Sequence, residues 1–248
     1  MGNLRKDHVA ERFVIVNELK TKPSTSKKNP FKPGNEKMTN PSVLSLVLKD
    51  GMLQRLQDED DTDSVKNWAV RVVPAINPAV DIETENTYSD HPLYSEPSYG
   101  YHYNIIASPD ETKSLATIDV EQWGYVLSVV QDRLRWLYTQ KGVAYVAIYG
   151  DSGKASGTKI PHPHLHMISF STIPPKIEEE ANSSHRILNE KGVYPMSQLV
   201  TSEAGGPRQI LQTEGFIALS PWAPSHPYEF WICPKKHATS FSKISQKE

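Results

Sequence analysis

The stretch Pro161-His162-Pro163-His164-Leu165-His166-Met167-Ile168 carries an imidazole at every second position from His162 to His166. A period of two is typical of a β-strand, because successive side chains of a strand point to opposite faces of its sheet. The spacing therefore predicts a strand on which His162, His164 and His166 share one face. This face is expected to carry chemistry, and the other face is expected to pack.

A loop rich in small and polar residues precedes this strand. Residues 143–149 predict a second strand, and residues 150–159 join the two strands with glycines, hydroxyl side chains, Lys154 and Lys159. Glycines let backbone N–H groups approach an anion closely, and lysines add positive charge. We therefore predict a phosphate-binding loop, with contacts from Ser156, Gly157, Thr158 and Lys159.

The three imidazoles suit an attack on phosphorus. A neutral imidazole is nucleophilic near physiological pH, so it needs no separate base. Its neighbours on the strand can fix its tautomer and neutralise the charge that develops on the phosphoryl oxygens. Two other interpretations stay open at this point. Histidines on one face can hold zinc, and the cluster can also be merely structural.

Composition excludes several classes of protein. The 248 residues, 38% hydrophobic and 23% charged, are ordinary for a soluble globular protein with a substantial core. A net charge of -2 gives no reason to expect nucleic-acid binding. The single cysteine, Cys233, excludes an internal disulfide framework and fits a reducing cytoplasm. No apolar run is long enough for a membrane span, so no membrane partner is expected.

Periodicity predicts the main elements. The pattern of Trp123, Val126, Leu127, Val130 and Leu134 predicts a helix over 120–138, with Asp119 as its N-cap. A second short helix is predicted over 43–56, and the acidic run 58–63 is expected to be a solvated loop. Residues 1–11 are expected to fray. Further strands are predicted over 12–16, 68–73, 101–107, 215–219 and 229–233.

Four blocks of the chain resemble the galactose-1-phosphate uridylyltransferase family of the histidine-triad superfamily. Residues 29–36 (Asn-Pro-Phe-Lys-Pro-Gly-Asn-Glu) resemble the family's Cys-Pro-Phe-Cys-Pro-Gly-Asn-Glu segment, and residues 108–111 resemble its Ser-Pro-Asp-His segment. Residues 157–166 are similar to its active-site block. Residues 228–237 are similar to the opening of the family's second half.

The resemblance implies a mechanism and a fold. It implies that His164 attacks the α-phosphate of a nucleotide sugar, giving a nucleotidyl-histidine that a hexose 1-phosphate then collects in ping-pong order. His162 is expected to orient the nucleophile, and His166 to bind the phosphate or donate a proton. The expected fold is α+β, with a histidine-triad type antiparallel sheet and packed helices. The expected domains are a first half-domain over 1–200 and an incomplete second half-domain over 201–248.

The chain departs from the family at the structural zinc site and beside the nucleophile. At the family's four zinc-ligand positions stand Asn29, Lys32, Glu111 and His162, so we predict no tightly bound zinc and no cofactor. His166 stands where uridylyltransferases carry Gln. An imidazole can protonate a leaving group, which is the choice of the superfamily's hydrolases and phosphorylases. Asp151, which is predicted to lie at the nucleotide phosphate, replaces an Asn of the family. Its carboxylate would repel the phosphate unless the positive charge of Lys154 or Lys159 compensates it.

The favoured function is therefore a cytoplasmic nucleotidyltransferase of galactose metabolism. Its expected partners are a nucleotide sugar or nucleotide and a sugar phosphate, without nucleic acid or membrane, and the family's habit implies a homodimer. One alternative is a phosphorylase or hydrolase of dinucleoside polyphosphates or ADP-sugars. Another is a nucleotide-binding remnant without catalysis.

Overall fold

The computed structural model describes residues 2–10, 12–17, 28–59, 63–84 and 91–245, and the chain folds as two compact units. Unit 1 comprises Met1–Pro174, and unit 2 comprises Pro175–Glu248. The sequence-based division after residue 200 follows the family's half-domains and stays a prediction. In the part of the chain that is described, no helix combines the length and the apolar character that a membrane crossing requires.

Unit 1 is built around an antiparallel sheet. Its elements are β1 (Gly2–Lys6), β2 (Phe13–Asn17), β3 (Leu44–Lys49), β4 (Met52–Leu56), β5 (Trp68–Pro74), β6 (Ser95–Pro97), β7 (His102–Ile106), α1 (Val120–Leu137), β8 (Tyr145–Tyr149) and β9 (His164–Phe170). The main sheet has the strand order β4-β3-β5-β7-β9-β8, and a smaller sheet has the order β2-β1-β6. The strand β9, which carries His164 and His166, therefore lies between β7 and β8.

Helix α1 covers one face of the main sheet. Its apolar side packs against alternate residues of interior strands, among them Ile105 of β7 and Leu165 and Met167 of β9. The Asp119 carboxylate caps the helix by accepting a hydrogen bond from the backbone N–H of Gln122 at 2.8 Å. The predicted helix and its N-cap are confirmed. Because side chains alternate along a strand, His164 and His166 are left on the opposite face.

The prediction of a helix over 43–56 is wrong, because these residues form the hairpin β3–β4. Asp50 and Gly51 have φ values of 51° and 74° and form its two-residue turn. Two successive residues with positive φ are the requirement of the hairpin turn that matches the twist of antiparallel strands, and Asp-Gly is a preferred pair there. Residues 44–47 are buried on both faces of the strand, and Leu46 is fully buried.

Two further expectations are corrected. The N-terminus is not frayed, since β1 pairs with both β2 and β6. The acidic run is not wholly solvated: Asp58 is buried and contacts Arg71 Nη2 at 2.7 Å. Residues 60–62 of that run lie outside the described residues. The strands predicted over 12–16, 68–73 and 101–107 are confirmed as β2, β5 and β7.

Unit 2 contains helices α2 (Pro175–Lys191) and α3 (Pro195–Glu203) and the antiparallel strands β10 (Gln209–Gln212), β11 (Phe216–Leu219) and β12 (Trp231–Pro234). Its apolar cluster is small and consists of Val200, Ile217, Leu219 and Cys233, with Trp231 packed against it. The two strands predicted for this region are confirmed as β11 and β12, and the sequence analysis missed β10.

Candidate active site

The register of three neighbouring strands brings polar side chains to one face of the sheet. His166 of β9 lies opposite Asn104 of β7 and opposite Tyr149 of β8. His102, two residues before Asn104, shares that face, because side chains alternate along a strand. One part of the prediction is wrong: β9 begins at His164, so His162 precedes the strand rather than belonging to it.

The three histidines of the sequence motif are nevertheless brought together. His162 and His164 are 3% and 4% exposed, and both pack edge-on against Phe31, with ring centroids 6.2 and 5.0 Å from its own. The rings of His164 and His166 are 5.0 Å apart in a T-shaped arrangement. Burial against Phe31 restricts the rotamers of His162 and His164. The cluster is therefore a pre-organised group of imidazoles.

The tautomer of His164 follows from one hydrogen bond. Its Nδ1 lies 2.6 Å from the backbone carbonyl oxygen of His162. A carbonyl can only accept, so Nδ1 carries the proton and donates it. The lone pair of neutral His164 is then on Nε2. Burial lowers the pKa of His164, although the His162 carbonyl and the Asp151 carboxylate favour the protonated ring. At neutral pH His164 therefore presents an unprotonated nitrogen.

The side chain of His162 has a partner at each nitrogen. Its Nε2 donates to the carbonyl oxygen of Ser108 at 2.7 Å, and its Nδ1 accepts from the Asn29 amide at 3.0 Å. Burial lowers the pKa of His162, so the ring is neutral at physiological pH. The ring is thereby fixed as a structural link. His162 contacts His164 through its backbone carbonyl.

His166 contacts a residue that the sequence analysis did not select. Its Nδ1 lies 3.2 Å from Nε2 of His102, and the ring of Tyr149 stacks on it with centroids 4.9 Å apart. The pKa of His166 is lowered by burial and by the charge of His164, against the opposing effect of Asp151. His102 could have been found from the sequence, because polar His102 and Asn104 share one face of an otherwise apolar strand. Asn104 is also buried, and its Oδ1 has no hydrogen-bond partner.

The loop between β8 and β9 begins beside His164. A side-chain carbon at Gly150 would lie 2.7 Å from terminal methyl carbons of both Leu115 and Leu165, so a larger residue there would force these side chains to shift. The Ser156 hydroxyl donates to the carbonyl of Gly153 at 2.8 Å, and the Thr158 hydroxyl donates to the carbonyl of Ile160 at 3.2 Å.

The predicted phosphate contacts differ in their surroundings. Asp151 is close enough for its charge to act on both His164 and His166. Ser156, Gly157 and Lys159 are exposed, whereas Thr158 is half-buried. Gly157 has φ +81°, a conformation that favours glycine. That these residues and Asp151 bind phosphate stays a prediction.

The four positions implied for a structural zinc hold a hydrogen-bonded network instead. Lys32 Nζ lies 2.5 Å from Glu111 Oε1, and the Asn29 amide lies 3.3 Å from Glu111 Oε2 and 3.0 Å from His162 Nδ1. An ammonium and an amide nitrogen are not zinc ligands, and the ammonium already neutralises the carboxylate. Over the described residues, no group of three or more His, Cys, Asp or Glu side chains could hold a metal ion. The residues present do not fit zinc.

Comparison with known proteins gives matches along the chain. Residues 59–174 match the family model described as galactose-1-phosphate uridyl transferase, N-terminal domain. An ADP-glucose phosphorylase of Arabidopsis thaliana is 25% identical over 247 residues, which are 97% of this chain and 68% of the relative. A galactose-1-phosphate uridylyltransferase of Thermotoga maritima is 30% identical over 157 residues, or 63% of this chain and 49% of the relative.

A solved uridylyltransferase structure has the same fold, with a TM-score of 0.82 at 19% identity. It is matched over 99% of this chain and 70% of its own. The chain thus spans about half of the Thermotoga maritima enzyme and about two thirds of the other two proteins. The α+β fold expected from the sequence is confirmed. The four sequence blocks, the family model and the relatives agree that the chain is similar to proteins of the galactose-1-phosphate uridylyltransferase family.

Proposed function

We propose that this protein transfers a nucleotidyl group from a nucleotide sugar through a covalent nucleotidyl-His164 intermediate. The observation that carries the proposal is the hydrogen bond from His164 Nδ1–H to the His162 carbonyl at 2.6 Å. It leaves Nε2 of a neutral, buried imidazole as the nucleophilic atom.

The first step forms one bond and breaks one. The Nε2 lone pair of His164 attacks the α-phosphorus, the Nε2–P bond forms, and the bond from phosphorus to the bridging oxygen breaks. The electron pair leaves with the sugar 1-phosphate. The modified ring then carries positive charge, because Nδ1 keeps its proton, and the His162 carbonyl stabilises that charge.

In the second step an acceptor phosphate oxygen attacks the same phosphorus, and the Nε2–P electron pair returns to His164. One nucleophile therefore serves two similar phosphate esters in turn, which gives ping-pong kinetics. The favoured acceptor is a hexose 1-phosphate and the favoured donor is UDP-glucose. The support is the family model and the similarity to the Thermotoga maritima uridylyltransferase.

A phosphorylase is the second candidate. The Arabidopsis thaliana ADP-glucose phosphorylase is similar over 97% of this chain, a larger share than the 63% matched by the Thermotoga maritima enzyme. In this candidate the donor is an ADP-sugar and the acceptor is inorganic phosphate. The chemistry at His164 is the same in both candidates. The transferase and the phosphorylase differ only in the nucleobase of the donor and in the acceptor.

Labelling of the protein tests the proposal. The chain is incubated separately with UDP-glucose and ADP-glucose labelled at the α-phosphorus, quenched in alkali, and analysed for label bound to His164. Acceptance of label from UDP-glucose and release by hexose 1-phosphate support the transferase. Acceptance from ADP-glucose and release by inorganic phosphate support the phosphorylase. Release to water alone supports the hydrolase.

A His164→Asn variant is the control for the covalent step, because Asn keeps a polar side chain near Nδ1 but has no nucleophile at Nε2. His185→Asn, an exposed histidine of α2, is the matched control and should label as the unsubstituted protein does. Nucleotide binding without any label on the unsubstituted protein would contradict transfer and support a nucleotide-binding remnant.

We also propose that the network of Asn29, Lys32, Glu111 and His162 keeps its structure without a zinc ion. Lys32 supplies the positive charge beside Glu111, and Asn29 links Glu111 to His162. Both ends of the Lys32–Glu111 pair are exposed to solvent, at 51% and 39%, so the pair contributes little to stability. Burial of Phe31 and the hydrogen bonds of Asn29 hold the segment in place.

A further inference from the structure

The protonation state of His102 is fixed by a backbone group. Its Nδ1 lies 3.1 Å from the backbone nitrogen of Ala79. A backbone N–H can only donate, so Nδ1 of His102 must offer a lone pair. The single proton of a neutral imidazole is then on Nε2. Burial lowers the pKa of His102 to about 4, helped by the neighbouring charge of His166, so the ring is neutral at physiological pH.

This arrangement also decides the tautomer of His166. Nε2–H of His102 points to His166 Nδ1 at 3.2 Å, and therefore donates to it. With Nδ1 as an acceptor, the proton of neutral His166 is on Nε2. Tyr149 stacks on the ring at an interplanar angle of 22° and limits its rotation. A directed chain of N–H groups thus runs from Ala79 through His102 to His166.

We propose that His102 is a positioning residue that holds His166 as a neutral Nε2–H hydrogen-bond donor. This inference rests on the proposed function for its catalytic meaning. The neutral Nε2–H takes the part of an amide N–H and donates to a phosphoryl oxygen of the nucleotide. His166 cannot take up a second proton at Nδ1 without losing the bond from His102. It is therefore a phosphate binder rather than a general acid.

The tautomer can be measured without a substrate. The full chain is labelled with ¹⁵N-histidine, and the ring nitrogens of His166 are assigned by comparison with a His166→Gln variant. The expected result for the unsubstituted protein is a protonated Nε2 and an unprotonated Nδ1 at neutral pH. A protonated Nδ1 in that protein would overturn the proposal, whether or not the protein is active.

Two substitutions at His102 separate positioning from packing. His102→Phe keeps an aromatic ring but removes the donor, and His166 should then show a mixture of tautomers. His102→Gln places an amide N–H near the former Nε2 position and should restore the Nε2–H form. Ile105→Val, on the opposite face of β7, is the matched control. It disturbs packing against α1 and should leave the His166 tautomer unchanged. An unchanged tautomer in His102→Phe would refute the role of His102.

Kinetics give the second readout. His102→Phe should lower the rate of nucleotidyl-His164 formation roughly tenfold or more, since a misoriented donor no longer stabilises the charged phosphoryl group. His102→Gln should recover most of that loss. A confirmed tautomer together with no labelling of the unsubstituted protein would reject the proposed function alone. A normal labelling rate in His102→Phe would reject the positioning role alone.

Discussion

The ring of Phe31 meets the ring of His164 edge-on, with centroids 5.0 Å apart and planes at 64°. Phe31 is 1% exposed, and its backbone N–H donates to the Asn29 side-chain oxygen at 3.0 Å. The segment before β3 therefore places one aromatic ring directly against His164, the proposed nucleophile. Fixing the plane of a nucleophile is a large part of catalysis by orientation.

Replacement of Phe31 should affect stability and activity together. Phe31→Ala is expected to lower the free energy of unfolding by about 3–5 kcal/mol, because a large cavity is left in a buried cluster. It should also slow the labelling of His164. Val47→Ala, in the same cluster but away from the histidines, is the control. Urea unfolding and labelling rates measure both effects. Equal labelling of the Phe31 variant and the Val47 variant at matched stability would contradict the orienting role.

The buried pair Asp58 and Arg71 should matter for stability alone. Their side chains are 0% and 1% exposed, and Asp58 also accepts from the backbone N–H groups of Ser42 and Val65. Asp58→Ala leaves a buried guanidinium without its partner and should cost about 3–5 kcal/mol in urea unfolding. The exposed neighbour variant Glu59→Ala should cost little. A loss of less than about 1 kcal/mol for Asp58→Ala would contradict this account.

Stability should fall between pH 7 and pH 5 in a way that depends on His102. The pKa of His102 is lowered to about 4 by burial and by His166, below the usual value near 6.5. The unfolded chain therefore takes up a proton first as the pH falls. The stability that neutral His102 contributes is fully present above pH 6.5 and is lost as the pH falls towards 4. By pH 5 the free energy of unfolding should have fallen by about 2 kcal/mol or less. Urea unfolding at both pH values should show a smaller loss in His102→Gln. An unchanged pH dependence would contradict the neutral, buried state of His102.

Metal removal should leave the protein unchanged. Asn29, Lys32 and Glu111 form an ion pair and hydrogen bonds at the positions where the resemblance implies zinc ligands. Dialysis against a chelator is therefore expected to leave the melting temperature and the labelling rate as they were. The triple variant Asn29→Cys, Lys32→Cys and Glu111→His should bind zinc and lose stability on chelation. Stoichiometric zinc in the purified natural protein, with a lower melting temperature after chelation, would contradict the proposal.

Local sequence patterns predicted helix α1 and the histidine strand, because capping and side-chain periodicity specify both. Helix α1 was predicted to within a residue at its end, because Asp119 caps it and its apolar stripe is regular. The histidine strand followed from its period of two. The β3–β4 hairpin was missed, because a run of apolar residues buried on both faces has no period that separates strand from helix. The Asp50-Gly51 pair was the local signal that would have corrected the assignment.

The remaining features of the site depend on strand register, which a single sequence does not reveal. His102 and His166 are 64 residues apart and meet because β7 pairs with β9. Asp58 belonged to an acidic run, and only the position of Arg71 on β5 shows why it is buried. Sequence reasoning thus selected His164 as the proposed nucleophile, whereas the contact between His102 and His166 follows only from the strand register.

The strand order of the main sheet lets the loop 150–159 change in evolution independently of the strand that carries His164. His164 lies on an interior strand, whereas the loop 150–159 extends from β8, the last strand in that order. Under the proposed function, insertions or exchanges in this loop would alter which nucleotide or sugar is bound, while the backbone of β9 keeps its pairing. New substrate preferences can therefore arise in this scaffold without rebuilding its reaction centre.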